Sequence, residues 1–159
     1  MQVALGSDHA GFELKKVLSD HLQHNGHLVL DVGTYSADPV DYPDYAEAVA
    51  LSVLHGEAER GILICGSGVG AAVAANKIAG IRAGLCHDCY SAHQGVEHDD
   101  TNVLVLGARV IGAELAKDIS LTFLNARFTA EERHQRRLKK VLDIEKRYAV
   151  GQLTKEKSL

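Results

Sequence analysis

No stretch of this 159-residue sequence reaches the roughly 18 to 20 consecutive apolar residues that a membrane-spanning helix requires. No membrane partner is expected. Met1 and Gln2 lead directly into an apolar strand pattern rather than into a charged and then apolar leader, so the chain is expected to remain in the cytoplasm. Cysteine is scarce as well: Cys65, Cys86 and Cys89 are the only three, an odd number that makes no disulfide framework and reads as reduced thiols. Basic blocks are missing outside the last helical segment, and the formal net charge is -4, which argues against a nucleic-acid partner. Small anions need only a local cluster and stay open. There is no internal repeat, linker or low-complexity stretch, which leaves one domain over 1–149 and a Lys- and Glu-rich tail over 150–159 that is expected to be flexible.

What the sequence does have is a regular alternation. Short continuous apolar runs at Val3 to Leu5, Leu28 to Val32, Ile62 to Cys65, Ile81 to Leu85 and Val103 to Leu106 predict five strands covered on both faces. Between them the apolar residues recur at helical spacing, as in Leu14, Val17, Leu18 and Leu22, and again in Ala46, Val49, Ala50 and Val53. An alanine-rich helix follows at Ala71 to Ala79, with others over 89–97, 113–126 and 130–148. Alternating strands and helices predict an α/β fold, a three-layer Rossmann-like sandwich with a five-stranded parallel sheet. Ligands in such folds sit beyond the carboxyl ends of the strands, commonly between the first and third.

Both of those strand ends carry unusual residues. After the first comes Gly6-Ser7-Asp8-His9-Ala10-Gly11, in which Asp8 and His9 are placed to meet a ligand, although Asp8 is equally suited to cap the next helix. After the third comes Cys65-Gly66-Ser67-Gly68-Val69-Gly70, a loop whose free amides and following helix favour an anion and a thiolate. A buried, inert strand-end cysteine is the plain alternative for Cys65. Gly66-x-Gly68-x-x-Ala71, with Asp88 downstream, also satisfies a dinucleotide fingerprint, so a nucleotide-binding module competes.

Further along, Glu97-His98-Asp99-Asp100-Thr101-Asn102 precedes the fifth strand and is expected to face the ligand end of the sheet, with His98 as an acid or base. A metal is not expected, because neighbouring loop residues rarely converge on one ion. Thr129-Ala130-Glu131-Glu132 has the pattern of a capping box, and Arg133, His134 and Arg137 follow it. Arg133 and Arg137 share a helix face, as two guanidinium forks on a phosphate dianion would, and Arg109 adds a further cation. Cys86-His87-Asp88-Cys89 lacks the partner pair that a zinc or redox site needs and is read as structural. His21, His24, His27, His55 and His93 are read as surface or helix-face residues.

The segments GSDHAGFELK, DYPDYA, GILICGSGVG, AANKIAGIRA, DDTNVLVLGARVIG and ERHQRR together resemble the sugar-phosphate isomerase family that includes type B ribose-5-phosphate isomerase and galactose-6-phosphate isomerase subunits. The resemblance implies a cofactor-free interconversion of aldose and ketose phosphates, led by ribose 5-phosphate, through a cis-enediolate. It also implies a homodimer, or a tetramer built from it, with active sites between subunits. By the same resemblance Cys65 is the base, since the family's alternative glutamate would stand at Ala71. Ser67 relays a proton between substrate oxygens, the amides around Gly66, Gly68 and Gly70 hold the enediolate, His98 opens the sugar ring and Asp8 assists. His9, Arg109, Arg133, His134 and Arg137 correspond to phosphate ligands, and Tyr42 to a residue that closes over the sugar. One departure stands out: Asp99 replaces the family's usual asparagine, which leaves the sugar (ribose, tetrulose, allose or galactose phosphate) open.

Overall fold

The computed structural model describes residues 1–148, and the segment for which a flexible tail is predicted lies outside the described residues. Five strands form one parallel sheet: β1 (Gln2–Ser7), β2 (Leu28–Asp31), β3 (Arg60–Cys65), β4 (Ala83–Leu85) and β5 (Val103–Gly107). Their order is β2-β1-β3-β5-β4, so the chain reverses direction across the sheet between β1 and β3. Cys65 ends β3 opposite Gly107 of β5, and Ser7 ends β1 opposite Ile64.

The helices are α1 (Phe12–His24), α2 (Tyr42–Leu54), α3 (Val69–Ala75), α4 (Cys89–Asp99), α5 (Ala113–Asn125) and α6 (Glu132–Tyr148). Side chains alternate across the pleat, and this splits the core in two. Val3, Leu5, Ile62, Ile64, Leu104 and Leu106 pack with Leu18, Leu22, Val96, Ile119 and Phe123 of α1, α4 and α5. Ala4, Leu63, Cys65, Val103 and Val105 pack with Ala46, Val49, Ala50, Ala71 and Ala75 of α2 and α3 on the opposite face. Both layers are apolar, which makes the three central strands continuously hydrophobic.

Three expectations need correction. The edge strands β2 and β4 are half-exposed rather than covered on both faces, because each has only one neighbour. The alanine-rich helix is shorter than its composition suggests, stopping at Ala75, where the Asn76 side chain turns to bond Ala72 O and the Ala83 backbone. Thr129 forms no capping box: its hydroxyl is bonded to Glu97 O and to His134 Nδ1, and Ala130 passes through a left-handed conformation (φ 52°) just before α6. Among the described residues no helix is long and apolar enough to cross a membrane.

Candidate active site

Every helix that follows a strand runs back antiparallel to it, so the loops after strands and the loops before strands lie at opposite ends of the sheet. At the carboxyl end, the turn after β1 is drawn onto β3 by the Asp8 amide, which donates to Ile64 O at 3.1 Å. Asp8 Oδ1 accepts from Ala10 N and Gly11 N at 2.9 and 3.1 Å, capping the short 3-10 turn His9–Gly11. Capping and ligand duty are therefore compatible, since it leaves the second carboxylate oxygen for a ligand. His9 is anchored by Val40, whose N–H donates to Nδ1 at 3.2 Å.

Beside this turn Cys65 is buried, 5% exposed, and the Gly68 amide donates to its Sγ at 3.1 Å. Gly68 has φ +83°, and a β-carbon there would stand 2.4 Å from Leu85 Cδ1, so both backbone and packing require glycine. Gly70 lies under the ring of Tyr42, whose Cζ would be 2.8 Å from an added β-carbon. Ser67 is exposed, and its hydroxyl accepts from Val69 N at 3.3 Å. The Arg109 side chain runs past Gly66, and its amide donates to Gly66 O at 2.9 Å. Asp8, His9, Tyr42, Cys65, Gly66, Ser67, Gly68, Gly70 and Arg109 thus gather on one rim. Their shared chemistry is a thiol with a hydroxyl neighbour, backbone amides, an imidazole and one guanidinium, Arg109, for an anionic ligand.

The remaining predicted residues are not on that rim. His98 and Asp99 form the last turn of α4, which starts with the Asp88 cap at the carboxyl end of β4 and descends to the amino end of β5. The expectation that this loop faces the ligand end is therefore wrong for a single chain, because a helix between two parallel strands must end where the next strand begins. Arg133, His134 and Arg137 are at that far end too. There α6 packs on α4, and Glu145 Oε1 accepts from Gly80 N at 3.0 Å, tying α6 to the turn before β4. The length of β3 alone puts roughly 17 Å between the two groups, more than an extended pentose phosphate spans.

Within the far group, the rings of His98 and His134 lie 4.0 Å apart at 30°. His134 is buried, and burial first, then the neighbouring His98 and Arg133, holds its pKa below the ordinary imidazole value of 6.5. It presents no open face to a phosphate within this chain. Arg133 is paired with Glu131 at 2.9 Å through an exposed contact. Asp99 is exposed and borders a cavity of about 760 Å³ between α6 and the segment from Asn76 to Ala83, with Lys77, Arg82 and Thr101 also on its wall.

Several supporting residues went unread in the sequence. His87 Nε2 accepts from Gly107 N at 2.9 Å, bracing the strand end next to Cys65. Gln94 lies 3.1 Å from His98 Nδ1, a partner that spacing of four along a helix would have suggested. Nothing local marks Thr129 as the partner of His134. The Cys86 thiol is raised to about 11 by burial and by Asp88, which fits a packing role, and all three cysteines are free thiols. Asp88 is spent on capping α4 through Ser91 N and Ser91 Oγ at 2.7 and 2.8 Å, so it does not stand ready for a ribose as the dinucleotide fingerprint requires. Among the described residues no three His, Cys, Asp or Glu side chains are grouped to hold a metal ion.

Both the sequence and the fold are similar to those of known proteins. The family model described as Ribose/Galactose Isomerase matches residues 3–141. Ribose-5-phosphate isomerase B of Escherichia coli is 50% identical over 146 residues, covering 92% of this chain and 97% of that one. The D-erythrulose-4-phosphate isomerase of Pectobacterium atrosepticum is 45% identical over 132 residues, covering 80% of this chain and 85% of that one. Among solved structures, ribose-5-phosphate isomerase B of Clostridium thermocellum superposes with a TM-score of 0.91 at 47% identity, over 94% of this chain and 100% of that one. A glycine-loop cysteine at the sheet's switch point and a match from residue 3 to 141 lead to one conclusion: the chain belongs to the ribose/galactose isomerase family.

Proposed function

We propose that this protein interconverts ribose 5-phosphate and ribulose 5-phosphate, a step of pentose phosphate metabolism in the cytoplasm. The observation that carries this reading is the Cys65 thiol, buried at the switch point with the Gly68 amide on its sulfur and Asp8 at the adjacent strand end. The match to the Escherichia coli relative supports the sugar.

In this reading the thiolate of Cys65 removes the C2 proton of the open-chain aldose, giving a cis-enediolate, and returns a proton to C1. Ser67 carries the hydroxyl proton between O2 and O1. Amides of the loop Gly66 to Gly70 stabilise the negative oxygen, the kind of term that is commonly the largest in such chemistry. His98 gives a proton to the ring oxygen as the bond between C1 and O4 breaks, and Asp8 takes the O1 proton. His9, Arg109, Arg133 and Arg137 hold the phosphate, with Tyr42 over the sugar.

Such a site needs both ends of the sheet, so it forms between two copies, the His98 and Arg137 end of one meeting the Cys65 end of the other. Exposed apolar groups suit such a contact. Val69, Val73 and Leu85 surround the glycine loop, while Val141, Ile144 and Tyr148 are exposed along α6. A homodimer is the smallest such assembly, and a tetramer pairs two. The test is direct: purified protein with EDTA present is assayed on ribose 5-phosphate beside Cys65→Ala, and an undiminished variant would remove Cys65 as the base.

A second sugar is favoured by Asp99, which can only accept hydrogen bonds when ionised, and by the similarity to a four-carbon phosphate isomerase. Relative kcat/KM on four-, five- and six-carbon phosphates decides between them. A preference of tenfold or more for another length would replace ribose 5-phosphate.

A further inference from the structure

The fold brings His134, expected from the sequence to touch phosphate, into a different relationship. Its side chain is 1% exposed, and its ring lies 4.0 Å from that of His98. Nδ1 is 2.8 Å from Thr129 Oγ1, and that hydroxyl is 3.2 Å from Glu97 O. A hydroxyl has one proton to give. Spent on the Glu97 carbonyl, it leaves Oγ1 to accept from His134, so the imidazole carries its hydrogen on Nδ1. Nε2 is then a bare lone pair, buried and without a partner among the described residues. Adding a second proton there would create a cation beside His98, Arg133 and Arg137, opposed by Glu131.

On the facing ring, Gln94 Nε2 stands 3.1 Å from His98 Nδ1 and donates to it, which leaves the His98 hydrogen on Nε2. Glu97 Oε2 is 3.8 Å from that atom and 3.3 Å from His93 Nδ1. His98 is therefore gripped through Nδ1 and along one ring face, while Nε2 is the atom free to transfer a proton.

We propose that His134 is a positioning residue, a neutral ring locked by Thr129 that fixes the plane and proton location of His98, rather than a ligand of the phosphate. The proposal rests on the ring-opening role given to His98 above. It separates two steps of one reaction. Ribose 5-phosphate is mostly a closed furanose, whereas ribulose 5-phosphate cannot close through its phosphorylated O5 and reaches Cys65 already open. Misplacing His98 should slow the aldose and spare proton exchange at C1 of the ketose.

The experiment compares wild type, His134→Ala and His134→Phe in three assays. Turnover of ribose 5-phosphate should fall roughly ten- to a hundredfold in His134→Ala, as misplacement of a catalytic group does, with recovery in part by the flat ring of His134→Phe. Deuterium entry at C1 of ribulose 5-phosphate in heavy water, and inhibition by inorganic phosphate, should stay within about twofold of wild type, which also proves the variants folded. Long-range nitrogen–proton NMR of the free protein should show His98 as the Nε2–H tautomer in wild type and as a tautomer mixture in His134→Ala. A loss of phosphate inhibition in step with turnover, or unchanged His98 signals in His134→Ala, overturns the proposal. If wild type exchanges no hydrogen at C1, the sugar assignment fails instead, and the NMR comparison still decides the role of His134.

Discussion

The two ends of the sheet carry two kinds of construction. At the carboxyl end the candidate site is largely backbone: the glycine loop, the capped turn at Asp8 and the strand-end amides are held by main-chain bonds and by contacts too close for a side chain. At the amino end it is side chains on two helices, with His98 and His134 stacked between α4 and α6 and the arginines projecting from the latter. Backbone sites arrive preorganised with the fold, while side-chain sites depend on how two helices are packed and on what covers them. In the proposed reaction the first end would supply a base and an oxyanion cradle. The second would supply acid and charge, and roughly the length of β3 separates them.

That contrast can be pressed by substitution. The largest effect is expected at Cys65, where Cys65→Ala should lower kcat by roughly 10² to 10⁴ with little change in KM or melting temperature, because proton transfer by a positioned group is lost. Next is Arg137→Ala at the other end, expected to raise KM for phosphorylated sugars steeply, since a charge-assisted hydrogen bond is worth about 1.5 to 3 kcal/mol, while a neutral sugar analogue should be indifferent. An Arg137→Ala variant with unchanged KM would detach the amino end from the site.

A smaller effect, on sugar choice, is expected for Asp99→Asn, which should shift the kcat/KM ratio between five-carbon and four-carbon substrates by up to about tenfold. The smallest concerns stability. His134 has a folded pKa below the ordinary 6.5, so the unfolded chain binds the extra proton first as acid is added. Its contribution is fully present above that value and is lost as pH falls below it. His134→Phe should therefore show a shallower decline in melting temperature between about pH 7 and pH 5 than wild type.

The same contrast explains what could be read from the sequence. Strand runs and helical spacing gave the five strands and the layer order, since burial on both faces leaves a direct imprint on sequence. The placement of Cys65, Gly68 and Asp8 was legible because it is local, fixed by a turn within a few residues. His98, Arg133 and Arg137 were legible as residue types but misplaced, because adjacency to a strand does not tell which end of it a loop occupies unless the helix direction is followed through. His134 was read as a phosphate ligand beside Arg133 and Arg137, and only its contact with α4 puts it inside. Thr129, Gln94 and His87 act across packing contacts or through a backbone group, and apart from the helical spacing of Gln94 they leave no motif.

The claim that the site is divided between two copies is tested most directly by mixing two inactive chains. Cys65→Ala and Arg137→Ala proteins, dissociated together and reassembled in equal amounts, should yield mixed dimers in half the population, each with one site built from two intact ends. At substrate concentrations well below the KM of Arg137→Ala, about a quarter of the wild-type rate should then return, from chains that alone have nearly none under those conditions. If the reassembled mixture stays as inactive as its parents although mixed dimers are present, Cys65 and Arg137 do not serve one site from two subunits, and the division described here is wrong.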